Sequence, residues 1–218
     1  MNGSFIDRTP SGRLLPAAHY RTMPWRNGRG TTTEVALSAG THSQGAGGRF
    51  LWRVSIADVP ESGPFSTFPG YERIIAVVAG TGMELAVAGK GERGVAPVRL
   101  DQASAPFAFP GDAATDCRLI GGPIRDFNLI LDRATTTGAL SRLRLSSTPC
   151  SVPLAADTAL LYALAGDLTV DAGKLGTWSV LAGDTLRLDR AAGPISIVAN
   201  GAGHALLAAI NPRANALG

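Results

Sequence analysis

The feature that most constrains this chain is a rhythm: short apolar or β-branched runs recur at close spacing, and each ends on glycine or proline. The clearest run is Phe50-Leu51-Trp52-Arg53-Val54-Ser55-Ile56-Ala57. It sets Phe50, Trp52, Val54 and Ile56 on one face and Leu51, Arg53, Ser55 and Ala57 on the other, the period of two that a strand imposes. Arg73 to Ala79 follows the Pro69-Gly70 turn, and Met83 to Ala88 follows Gly80-Thr81-Gly82. Phe107 to Pro110, Cys117 to Ile120 and Phe127 to Leu131 continue the series. With 27 Gly and 14 Pro in 218 residues, tight turns dominate over long helices. Short strands separated by such turns predict an all-β sandwich or barrel, and the length accommodates one large domain or two small ones.

Charge and cysteine usage exclude several classes. The net charge of +3 is carried mostly by scattered arginines, with Arg142 and Arg144 as the nearest approach to a cluster. Nucleic-acid binding needs a concentrated basic face, so none is expected. Cys117 and Cys150 stand apart with no CxxC pattern and read as free thiols. Met1 to Thr22 lacks the apolar core of a signal peptide, and no apolar run approaches the roughly 20 residues that span a bilayer. A cytoplasmic protein with no membrane association is the expectation.

The pattern occurs twice. Ile74-Ile75-Ala76-Val77-Val78-Ala79-Gly80 with Met83-Glu84-Leu85 is matched by Leu160-Leu161-Tyr162-Ala163-Leu164-Ala165-Gly166 with Leu168-Thr169-Val170, and the pairs Gly111-Asp112 and Gly183-Asp184 lie downstream as turns. Two copies of one β-unit divide the chain into residues 1–134 and 135–218, with exchange of strands between the halves allowed. The linker is expected near Thr135 to Pro153, where a short helix over Leu140 to Leu145 is the competing reading. Ser38 to Gly48 reads as a surface loop.

An apolar strand, a glycine turn, a second strand and a later Gly-Asp turn resemble the cupin (RmlC-like jelly-roll) pattern, here in a bicupin arrangement. Three ordered motifs resemble the HutD/Ves family: Pro24-Trp25-Arg26-Asn27-Gly28-Arg29-Gly30 with Thr31, Thr33 and Glu34; Trp52 to Ala57; and Gly63-Pro64-Phe65-Ser66-Thr67-Phe68-Pro69-Gly70 with Arg73. Phe109-Pro110-Gly111-Asp112 and Gly122-Pro123-Ile124-Arg125-Asp126-Phe127-Asn128 add a fourth. Arg29 departs from the family's loop, which commonly reads Gly-Gly-Gly or Gly-Ala-Gly. The resemblance implies two jelly-roll barrels and an accessory or regulatory role in bacterial histidine utilisation.

Many cupins hold a metal through His-x-His with a later Glu and His. Here His19, His42 and His204 are isolated, so neither a metal nor another cofactor is expected. What remains is a polar and aromatic set: Trp25, Asn27, Thr33, Glu34, Arg53, Ser55, Phe65, Ser66, Phe68, Arg73, Asp126 and Asn128. Arg53 and Arg73 offer bidentate clamps for a carboxylate, or else pair with Glu34 or Asp126 or cap a turn. Asn27 beside Gly28 and Gly30 offers an amide and open backbone N–H groups, or simply a tight turn. Trp25, Phe65 and Phe68 stack on a planar ligand or plug the core. Glu34 serves as a base, a ligand contact or a salt-bridge partner.

The expected function is binding of a small anionic metabolite, namely urocanate, formate or a formyl or formimino intermediate, which modulates histidine utilisation without a catalytic residue. The alternative is a metal-independent isomerase or hydrolase using Glu34 or Asp126. An exposed edge strand in the C-terminal half would permit a homodimer.

Overall fold

The computed structural model describes residues 9–25, 28–39, 49–89 and 96–214. Asn27, His42 and most of the expected loop, residues 40–48, lie outside the described residues. The strands are β1 (Ser11–Leu15), β2 (Arg21–Pro24), β3 (Thr31–Ala39), β4 (Phe50–Val59), β5 (Gly63–Pro64), β6 (Tyr71–Ala79), β7 (Met83–Val87), β8 (Val98–Leu100) and β9 (Phe107–Pro110). They continue as β10 (Thr115–Leu119), β11 (Ile124–Asp132), β12 (Thr136–Leu145), β13 (Cys150–Ala165), β14 (Leu168–Asp171), β15 (Thr177–Val180), β16 (Thr185–Ala199) and β17 (Gly203–Pro212). Among the described residues there is no α-helix, and no helix long and apolar enough to cross a membrane.

Two compact units emerge. The first contains Ala17–Arg142 and the segment from Pro212 onward. It holds a six-stranded antiparallel sheet, β2-β3-β4-β11-β6-β9, and a four-stranded one, β5-β10-β7-β8. Its core comprises Ala57, Val59, Ile75, Val77, Met83, Leu85, Leu100, Phe109, Cys117 and Ile124, with Trp25, Phe65 and Phe107 packed against it. The second unit contains Leu143–Asn211 and the segment ending at Pro16. Its apolar core is built on Leu161, Val170, Val180, Leu186, Leu188 and Ile197.

Two sequence expectations need correction. The first 16 residues contain a strand: β1 runs antiparallel to β16, from Ser11 opposite Asp189 to Leu15 opposite Thr185, an exchange of the kind allowed between the halves, and the units part between Arg142 and Leu143 rather than at residue 134. The expected linker, and the helix considered over Leu140 to Leu145, is strand β12, with Thr136, Leu140 and Leu145 buried. Its alternation is masked in the sequence because Arg142, a charged residue, turns its guanidinium in to donate 2.8 Å to the Val77 carbonyl. The Gly-Asp pairs, by contrast, occupy matching places: Gly111-Asp112 precedes β10, the partner of β7, and Gly183-Asp184 precedes β16, the partner of β14.

The other half of the repeat has a structural counterpart. Gly80 and Gly166 close β6 and β13 at φ of +87° and +75°. A Cβ on Gly80 would strike the Pro123 carbonyl, and one on Gly166 would lie 2.7 Å from the Ala202 carbonyl. Both glycines are thus demanded twice, by backbone conformation and by a neighbouring strand approaching too closely for any side chain. Gly80→Ala is therefore expected to lower stability by at least about 2 kcal/mol, measured by denaturant unfolding, because strain at positive φ adds to a clash with backbone. Gly122→Ala, at φ +115° but with no atom within 4 Å, should cost less.

Candidate functional site

Residues opposite one another on neighbouring antiparallel strands share a sheet face. The register sets Arg53 of β4 opposite Ile130 of β11, Ile130 opposite Arg73 of β6, and Arg73 opposite Phe109 of β9. The next row holds Glu34, Ser55, Asn128, Ile75 and Phe107, and the row after it Thr32, Ala57, Asp126 and Val77. Because Ala57, Ile75, Val77 and Phe109 belong to the unit's core, this polar face of β4 and β11 is its interior. Trp52, Val54 and Ile56 lie on the opposite face and are buried as well.

Within that interior the two arginines are surrounded by rings. The Arg73 Cζ lies 5.2, 5.4 and 5.0 Å from the centroids of Phe65, Phe68 and Phe109. The Arg53 Cζ lies 5.4 Å from Phe50 and 5.3 Å from Phe68, so Phe68 is shared by both guanidinium groups. Arg73 is 6% exposed. It donates through Nη2 to Asn128 Oδ1 at 2.7 Å and through Nη1 to the Ser66 carbonyl at 3.3 Å. Asn128 in turn donates through Nδ2 to Asp126 Oδ1. The Nε atoms of both Arg53 and Arg73 are buried without a hydrogen-bond partner. No ion pair joins either arginine to Glu34 or Asp126 among the described residues, so the salt-bridge readings fall away.

Electrostatics follow from this burial. Desolvation lowers the affinity of Arg53 for its proton, opposed by Glu34, and brings Arg73 down to about 10, opposed by Asp126 and reinforced by Arg53. Both remain cations at neutral pH. Asp126 is pushed up to about 7 by burial, with Arg73 and Asn128 pulling the other way. Across the core, burial and then Asp126 push the Cys117 thiol up to about 12, so it stays protonated and packs on Met83 at 3.6 Å.

The aromatic wall is held by a turn. Phe68 N–H donates to the Gly111 carbonyl at 2.7 Å, and Asp112 Oδ1 accepts from Gly70 N–H at 2.5 Å. Asp112 also binds Arg133, which donates to the Tyr71 carbonyl at 2.7 Å. Asp112 thus ties the Phe65–Phe68 segment to the barrel, beyond the turn role expected of it. A Cβ on Gly111 would lie 2.7 Å from the Phe68 carbonyl, which makes glycine obligatory there.

The structure brings Glu34, Arg53, Ser55, Phe65, Phe68, Arg73, Asp126 and Asn128 together. Thr33 is a correction: it lies opposite Ile56, on the other face, and its hydroxyl meets that of Thr22 at 2.9 Å. Its neighbour Thr32 points inward instead, accepting the Trp25 indole N–H at 2.8 Å, so Trp25 is a turn and core residue. Ser66 contributes its carbonyl while its side chain is exposed. Sequence reasoning missed Thr32, Phe50 and Phe109. Strand register distinguishes Thr32 from its neighbours, and Phe50, at the start of β4, reaches the arginine side with its ring tilted 34° against that of Tyr71 at 4.4 Å. Phe109 stood in a quoted motif and needed only its pairing with Arg73.

This donor set does not fit the divalent cation of many cupins: the face presents two guanidinium groups, which repel a cation, and no cluster of three His, Cys, Asp or Glu occurs among the described residues. It fits an anion.

Antiparallel sheets enclosing an inward-facing polar patch define a cupin-like protein. The HutD family model matches residues 17–207, and the chain belongs to that family. An uncharacterized 21.2 kDa protein in the hutC 3' region of Pseudomonas putida is 48% identical over 118 residues, 54% of this chain and 57% of that relative's length. A conserved protein of unknown function from Pseudomonas aeruginosa PAO1 superposes with a TM-score of 0.79 at 34% identity, covering 92% of this chain and 99% of that one. HutD from Pseudomonas fluorescens SBW25, solved in a formate condition, superposes with a TM-score of 0.71 at 38% identity, covering 93% and 100%. The family is thereby linked to the histidine-utilisation region.

Two predictions follow from the buried charges. Asp126 is raised in the folded state, so between pH 4 and 7 the folded chain holds a proton that the unfolded chain releases. Its contribution is largest below about pH 4 and is lost as pH rises through about 7, by at most about 1.4 kcal/mol per pH unit. Asp132, held low by Arg49, acts oppositely and only as pH falls below the ordinary carboxylate range. The difference in Tm between wild type and Asp126→Asn, followed from pH 4 to 8, isolates the first effect. Arg53→Met, which removes a half-buried cation whose buried Nε has no hydrogen-bond partner, is expected to stabilise the ligand-free protein by roughly 1 kcal/mol in denaturant unfolding.

Proposed function

We propose that this protein binds a small carboxylate in its N-terminal barrel and, through that occupancy, modulates histidine utilisation in the bacterial cytoplasm. The ligand is urocanate, formate or a formyl or formimino intermediate of histidine breakdown. The observation that supports this reading is the pair of guanidinium groups, Arg73 buried and Arg53 half-buried, whose Nε atoms are buried without a partner. A buried donor left unpaired costs about 1–3 kcal/mol, more when charged, and a carboxylate shared by Arg53 and Arg73 would recover that energy. Ser55 and Asn128 add polar groups on the same face, and Phe65, Phe68 and Phe109 close it off from water. The solved relative from a formate condition is consistent with a small carboxylate as ligand.

A second reading has one observation in its favour. Asp126, pushed up to about 7, is poised to exchange a proton near neutrality, as the acid or base of a metal-independent isomerase or hydrolase would be. Consumption of the bound compound, followed by chromatography, distinguishes this from binding alone.

Urocanate, histidine, formate, formiminoglutamate and formylglutamate should be tested by thermal shift against wild type and Arg53→Ala. A ligand at a hundred times its Kd is expected to stabilise the fold by about 2.7 kcal/mol, and the gain should vanish in Arg53→Ala. No shift from any of these compounds, or an equal shift in the variant, would overturn the reading.

A further inference from the structure

Two carboxylates share the interior face: Glu34, which bears on Arg53, and Asp126, which no ligand contact requires. Asp126 is 1% exposed and meets Arg73 only through Asn128, which accepts from Arg73 at 2.7 Å and donates to Asp126. The other groups bearing on it are few. Cys117 faces it from β10 as a neutral thiol. Asp58, on the other face of β4, is engaged by Arg125 at 2.8 Å and Thr31 at 2.9 Å. Ala57 and Val77 flank it in the sheet. Asp126 is therefore the carboxylate nearest in effect to the buried Arg73, acting at one remove.

Resting on the carboxylate site proposed above, we infer that a bound anion takes over from Asp126 as the counter-charge of Arg73, so that binding draws a proton from solvent onto Asp126. The argument is Coulombic. An anion accepting from the open Nε atoms of Arg53 and Arg73 places a second negative charge in the same desolvated volume, where like charges interact strongly. The anion is held by two guanidinium groups, whereas Asp126 is held by one amide. Asp126 therefore gives up its charge by taking a proton, and the Asn128 amide can still donate to its carbonyl oxygen. Arg53 and Arg73 keep their protons, and the proton on Asp126 comes from buffer. The titration of Asp126 near neutral pH makes the exchange accessible under ordinary conditions. The consequence is a site whose affinity for carboxylates rises with acidity although the ligand itself does not titrate.

The test is calorimetric titration of the full chain with formate and formylglutamate, whose own groups do not titrate between pH 5.5 and 8.5. It is run in Bis-Tris, triethanolamine and Tris, none of them an anion, to count protons from the dependence on buffer ionisation heat. The expected result is fractional proton uptake near pH 7, approaching one proton per anion at pH 8.5 and none at pH 5.5. Affinity should fall by up to about tenfold per pH unit above 7. Asp126→Asn should bind with no proton uptake and no pH dependence in this range; should that variant not fold, the wild-type proton count decides alone. Binding heat without proton uptake at pH 7 to 8.5 overturns the coupling and leaves the carboxylate site standing. No heat from either anion, together with no thermal shift from any compound above, overturns the site itself.

Discussion

Burial of two like charges side by side inside an apolar barrel is the constraint on which the rest of the site depends. A guanidinium removed from water must find acceptors or π-faces, because its desolvation penalty otherwise exceeds what one core position can contribute. Arg73 meets this demand with three rings, one amide oxygen and one carbonyl, and Arg53 with two rings. The Phe65–Phe68 segment is therefore more than a connection between β5 and β6. It supplies the π-faces that make the charges tolerable, and Asp112 and Arg133 tie it in place. Glycine is required at residue 111 because the same segment crosses there.

The two units differ in what their interiors hold. The apolar cluster of the C-terminal unit is filled by leucine, valine, isoleucine and alanine, and its buried polar residues are Thr158, Asp184 and Thr185 among the described residues. The N-terminal unit mixes Ala57, Ile75, Val77 and Phe109 with Arg53, Ser55, Arg73, Asp126 and Asn128 on one face. The buried arginine, asparagine and aspartate that the proposed carboxylate site would use thus belong to the N-terminal unit, which bears the cost of their desolvation.

Much of this was legible in the amino-acid order. Strict alternation along Phe50 to Ala57, and the Pro-Gly and Gly-x-Gly turns around Arg73 to Ala79, announce strands because side-chain direction in a strand depends only on local parity. The same parity put Arg53 and Ser55 on one face. Sequence failed where a polar side chain is used internally. Arg142 hides the alternation of β12 by turning inward to the Val77 carbonyl, and β1 goes unmarked in the sequence because its partner, β16, lies some 170 residues later.

What the sequence by itself determined is the alternation within each strand, and with it which residues of one strand must share a face. Which face becomes the interior was decided only by tertiary pairing. Trp52, Val54 and Ile56 make the more apolar side of β4, yet the barrel encloses the side with Arg53 and Ser55. Register had to be set by β3, β11, β6 and β9 before Arg53, Arg73, Asn128 and Asp126 could converge, and before Thr32 rather than Thr33 could turn inward. The physical reason is that parity is a property of one strand, whereas convergence is a property of hydrogen-bonded neighbours: a shift of one residue in any ladder would send the opposing side chain to the other face.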